Sequence, residues 1–139
     1  MKIMKEIAFY ICAVTVRTMI SVIFICFADE GNKSDRNTVF LEKYGWEVGD
    51  DFIEKEEIII PEEFDDVYMN YNDMQKEAGL DMEPYKGKKA VRYTYEVKNY
   101  PSDIPDVRAN VICVDGRPIA GDIMTVKLDG FMHSLKRGN

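Results

Sequence analysis

The feature that most constrains this chain is an apolar stretch near its N-terminus, IAFYICAVTVRTMISVIFICFA over Ile7–Ala28, broken only by Arg17. As an α-helix these residues would extend about 33 Å, enough to cross a hydrocarbon layer of about 30 Å. A central arginine costs about 2.5–3.5 kcal/mol on insertion scales, and each apolar neighbour returns only a few tenths. The same residues parse as a secretory signal: a basic region ending at Arg17, an apolar core of about ten residues, and Cys26-Phe27-Ala28 at a cleavage site. Lys2 and Lys5 on one flank, Asp29 and Glu30 on the other, orient both versions alike, with the remainder of the chain outside the membrane. Residues 1–28 are therefore expected to be a signal peptide or transmembrane anchor. If uncleaved, residues 7–28 make the membrane a partner, and the expected location is the cell membrane with the C-terminal domain outside, or the medium.

Charge divides at the same point. Lys2, Lys5 and Arg17 against Glu6 make the first 28 residues +2, so a chain of net −7 leaves −9 on residues 29–139. An acidic body opposes both phosphate backbones and anionic lipid headgroups, which are bound through clustered lysine and arginine, so nucleic acid is not an expected partner. Cys12 and Cys26 lie in the apolar stretch and leave the body one thiol, Cys113, which cannot close an internal disulfide. Zinc needs several cysteine or histidine ligands, and the body offers only Cys113 and His133. The acidic run EKEEIIIPEEFDD lacks the alternating oxygen ligands and central glycine of a calcium loop. No phosphate-binding or dinucleotide fingerprint occurs, so no cofactor and no metal are expected.

Residues 29–36 read as a polar tether, 37–135 as one globular domain and 136–139 as a tail. A short helix is expected through Tyr44, stopped at Gly45, with Trp46 packing back. Phe52–Ile60 reads as a strand ending at Pro61. Glu62–Ala78 reads as a helix with Phe64, Val67, Tyr68, Tyr71, Met74 and Ala78 along one stripe. Alternation of Val91, Tyr93, Tyr95 and Val97 with polar residues, and then of Val107, Ala109, Val111 and Cys113, predicts two more strands. Asp115-Gly116 predicts a tight hairpin, Gly121 hints at a bulge in the returning strand, and Phe131, Met132 and Leu135 suggest a last helical turn. The order α, β, α, β, β, β cannot make a doubly wound parallel sheet. It suits an α+β domain with two helices packed on one face of a curved antiparallel sheet of about four strands.

Candidate chemistry is sparse. Cys113 shares parity with apolar neighbours and reads as a core residue. Asp122 sits inside a strand, where an acid is disfavoured unless specifically bonded, and His133 is the lone imidazole. The pair Asp122 and His133 is the weak catalytic candidate, as a small hydrolase. Tyr68, Tyr71, Tyr85, Tyr93, Tyr95 and Tyr100 offer the alternative of a tyrosine-rimmed groove.

The runs Phe40-Leu41, Tyr44-Gly45-Trp46-Glu47-Val48, Ile60-Pro61, Tyr71-Asn72 with Gln75, Arg92-Tyr93-Thr94-Tyr95, Gly121-Asp122 and Gly130-Phe131-Met132-His133 resemble a family of small exported bacterial domains of unknown function from Gram-positive, clostridia-like organisms. Ala120 and Ser134 stand where that pattern has glycine. The resemblance spans about residues 37–135 and implies an extracytoplasmic setting, with no assigned activity to carry over. In and around these runs Tyr71, Asn72, Arg92, Tyr93, Tyr95, Gly121 and Asp122 are the candidate binding residues. The expected function is a non-catalytic extracytoplasmic cell-envelope domain that binds a protein or wall ligand, with an envelope protein as a possible partner; the hydrolase is the alternative.

Overall fold

The structure is a computed structural model that describes residues 36–138. The apolar stretch 7–28, with its anchor or signal reading, lies outside the described residues. Among the described residues no helix is long and apolar enough to cross a membrane. Residues 34–139 form one compact unit, and both core clusters close within it, so this segment carries its own fold.

Helix α1 covers 36–42 and leads through a turn at Gly45, whose φ of 84° suits a residue without a side chain. Strand β1 is Glu54–Ile59, helix α2 is Asp66–Glu77, and β2 (Lys89–Glu96), β3 (Val107–Val114), β4 (Arg117–Thr125) and β5 (Met132–Ser134) complete the chain. All five strands form one antiparallel sheet in the order β1-β2-β3-β4-β5, so each strand pairs with its chain neighbour. The α+β class stands as expected, with one strand more. Residues 132–134, expected as a helical turn, pair with β4 instead, because the turn at Gly130 closes a hairpin in which Thr125 N–H donates to the Phe131 carbonyl at 3.1 Å.

The helices do not share one face. Central β3 is flanked on both edges and buried on both faces. Its odd residues Val107, Ala109, Val111 and Cys113 join Tyr93, Tyr95, Ile123, Leu41 of α1, Trp46 and Leu135. Its even residues Ile112 and Val114 join Ala90, Ala120, Ile60 and Met82 on the other face, where Tyr71 of α2 packs. Fully burying an aliphatic side chain such as Leu41, Ile60 or Ile123 contributes about 1.5–3 kcal/mol, so each face carries a core of its own.

Helix α2 lies against β4 and β5, and of the apolar stripe expected there Phe64, Tyr71 and Ala78 pack half-buried against the two cores, although the most buried positions of the helix are polar. Val67 is exposed, whereas polar Asn72 and Gln75 are buried. The pairing of β5 with β4 stops at Asp122 and Ser134, which leaves the next N–H of β4 without a strand partner. Gln75 fills the gap: its Oε1 accepts from Gly121 N–H at 2.9 Å. The helix also starts later than expected. Asp65 is its N-cap, accepting from Tyr68 N–H at 2.9 Å, and Glu62 and Glu63 precede it.

The hairpin at Asp115-Gly116 is present, with positive φ at both residues. The irregularity expected at Gly121 lies two residues earlier, at Ile119, where the β3–β4 register shifts. Gly121 is held to glycine by space: a Cβ there would stand 2.7 Å from the Asn110 carbonyl oxygen and 2.9 Å from Leu135 Cδ1.

Candidate functional site

Two groups of side chains collect the residues of interest, one on each face of the sheet. Register sets Thr94, Asn110 and Asp122 abreast across β2, β3 and β4. Thr94 Oγ1 donates to Asn110 Oδ1 at 2.7 Å, and Asn110 Nδ2 donates to Asp122 Oδ1 at 3.0 Å. Tyr71 OH reaches from α2 and donates to Asp122 Oδ2 at 2.7 Å. Arg92 stands on the same face and pairs with Glu56 of β1, its register partner.

The Asp122 carboxyl is only 2% exposed. Burial raises its pKa above the ordinary carboxylate value, against the bonds from Tyr71 and Asn110 that favour the ion. Burial also pushes Tyr71 well above the usual phenol, reinforced by the Asp122 charge. A sealed acid whose two oxygens each hold an intramolecular donor ties α2 to the sheet. This is the specific bonding that an acid inside a strand calls for.

Asn72, a second sequence candidate, serves the loop after α2. Its Nδ2 donates to Asp81 Oδ1 at 2.9 Å and its Oδ1 accepts from Met82 N–H at 2.7 Å. Tyr93 and Tyr95 face the opposite way from Arg92 and Asp122 and belong to the core. Asn37 links two of that core's polar atoms: its Nδ2 donates to Tyr95 OH at 3.1 Å, and Cys113 Sγ donates to its Oδ1 at 3.1 Å. Burial raises the Cys113 thiol to about 11. The seven candidate binding residues therefore do not line one groove: Tyr71, Arg92, Gly121 and Asp122 gather on or beside one face, and Asn72, Tyr93 and Tyr95 serve elsewhere.

His133 is the register partner of Ile123, which points to the α1 face, whereas Asp122 points to the other. The sheet separates the two side chains of the hydrolase reading. His133 stands instead in an aromatic group. Its ring is 5.4 Å from Phe131 and nearly parallel to it; Phe131 lies 5.2 Å from Tyr100, and Tyr100 stacks 5.8 Å from Trp46. His133 Nδ1 lies 2.7 Å from the Ser134 carbonyl, which can only accept, so Nδ1 carries the proton in the neutral ring. Nε2 then accepts from Tyr100 OH at 3.1 Å.

Trp46 anchors the group from behind, donating Nε1–H to the Leu135 carbonyl at 2.7 Å. The Arg137 guanidinium lies 4.9 Å from the Trp46 ring centre and donates to the Gly45 carbonyl at 2.8 Å. Trp46, Tyr100, His133 and Arg137 wall an open cavity of about 620 Å³, completed by Glu77, Pro101, Ser134, Lys136 and Gly138. Three recurrent features of ligand pockets meet here: concavity, aromatic walls and a few converging polar groups.

Of this pocket the sequence singled out His133, Tyr100 and the packing of Trp46. Lys136 and Arg137 fall in the expected tail. The cavity draws on residues from 46 to 138, and no periodicity joins positions so far apart. The one signal available was the cluster of Phe131, His133 and two cations within seven residues.

Compared with the curated proteins and with the solved structures, the chain has no significant match. Residues 40–123, well over half of the 139, match the family described as Domain of unknown function (DUF4830), and the chain belongs to that family.

Proposed function

We propose that this is a non-catalytic binding domain, displayed outside the cell membrane behind the apolar segment 7–28, whose pocket at Tyr100, His133, Lys136 and Arg137 takes a carboxylate-bearing peptide of the cell envelope. The observation that carries the reading is the pocket's composition. Arg137 rests on Trp46 and bonds to neutral carbonyls, and no salt bridge engages it or Lys136 among the described residues. Two cations without a carboxylate partner favour an anion, and the Tyr100, Pro101 and His133 walls offer apolar area for the body of a peptide. Glu77 is available to accept from a peptide N–H. The acidic body and the apolar leader support display outside the membrane.

The test maps amide shifts of 15N-labelled residues 34–139 during titration with a short peptide ending in a free carboxylate, and with the same peptide ending in an amide. Shifts at Tyr100, His133, Ser134 and Arg137, several times weaker for the amide form, are expected. Equal responses to both peptides, or shifts centred on Tyr71 and Arg92, would overturn the assignment.

A further inference from the structure

A second cavity, of about 480 Å³, lies where α1 meets the start of β4, lined by Arg36, Val39, Phe40, Lys43, Arg117 and Pro118. Three cations converge on it, from α1, the turn after it and the start of β4, in a molecule of net charge −7, and among the described residues no carboxylate lines it. None of the three takes part in a salt bridge among the described residues. Like charges brought together repel, and the remaining walls are apolar, with Val39 46% exposed. Such a cavity suits an anion attached to an apolar body.

The position along the chain says which anion. Arg36 is separated from the apolar stretch ending at Ala28 by seven residues, 29–35, which at full extension reach only about 25 Å. If that stretch is held in a bilayer, Arg36 at the start of α1, and with it the cavity, stays within reach of the lipid headgroups. We propose that Arg36, Lys43 and Arg117 form a phosphate-binding surface for the headgroups of anionic phospholipids, with Val39 and Phe40 facing the glycerol and upper acyl region. Contact through this surface draws the acidic body down onto the membrane, overcoming at short range a net charge that salt screens beyond about 10 Å. The proposal is independent of the aromatic pocket and of its ligand.

Co-sedimentation of residues 34–139, which lack the apolar stretch, with vesicles tests it. Phosphatidylcholine vesicles alone should not retain the fragment, and vesicles containing about one third phosphatidylglycerol should, in about 0.1 M salt, which screens the long-range repulsion of the acidic body. Each of Arg36→Gln, Lys43→Gln and Arg117→Gln should weaken retention about fivefold, whereas Lys127→Gln, remote from the cavity, should not. Absence of retention on anionic vesicles, an equal loss with Lys127→Gln, or full displacement by millimolar inorganic phosphate would overturn the proposal. The last result would identify a soluble phosphate site.

Discussion

A buried acid is tolerable in a strand only when its neighbours replace the water it has lost, and Asp122 shows how far that replacement goes. Donors from Tyr71 and Asn110 meet both oxygens, yet burial still leaves the pKa above its ordinary value of 3.8. A raised folded-state value means that the folded protein holds the proton more tightly than the unfolded chain. The associated stability is fully present below pH 3.8 and is lost as pH rises through the elevated value. Asp122→Asn keeps an acceptor for Asn110 and a hydrogen for the Tyr71 oxygen, without the charge. The variant should therefore gain on the wild type between about pH 3.5 and pH 7, as read from urea midpoints at the two values. A gap that widens toward acid instead would place the folded pKa below 3.8. Cys113 follows the same logic at higher pH: with its thiol raised to about 11, it should resist a thiol reagent at pH 8 in the folded domain and react on unfolding.

At the scale of elements, α2 shows what local pattern reading misses. Its apolar residues repeat at helical period and Tyr71 packs on the core, but the residues it buries most completely are polar, because it packs on an edge of the sheet that needs hydrogen bonds. Gln75 and Asn72 supply them, to Gly121 and to the loop at Met82. Asn72→Ala would leave the Met82 N–H unpaired at a residue with no exposure, at a cost of about 1–3 kcal/mol, visible as a lower urea midpoint. The same change would return Asp81 toward its ordinary pKa, since the Asn72 bond is the chief cause of its lowering. The strands were more legible: the alternation at Tyr93 and Tyr95 and from Val107 to Cys113, and the Asp115-Gly116 turn, mark central hairpins whose faces differ in polarity. Strand β5 escaped because three residues hold too little pattern to separate a strand from a helical turn.

Across the whole molecule, the sheet works as a partition. One face holds the Asp122 network, sealed by α2; the other brings Trp46, Tyr100 and His133 to the chain's last turn, where Arg137 closes over them. The sequence named an acid and an imidazole as one candidate pair, and adjacent strands placed them back to back, because neighbouring positions on a strand alternate faces. Face and partner depend on register, which a single sequence does not declare; the pocket emerges only when the ends of the domain meet. The central claim is that this pocket binds a carboxylate. Isothermal titration of a carboxylate-terminated peptide against residues 34–139 and their Arg137→Gln and Lys136→Gln variants tests it most directly. The account predicts saturable one-to-one binding, weakened about 10- to 100-fold by Arg137→Gln and by a smaller factor by Lys136→Gln, with unfolding midpoints confirming that both variants fold. Affinity unchanged in both folded variants would contradict it.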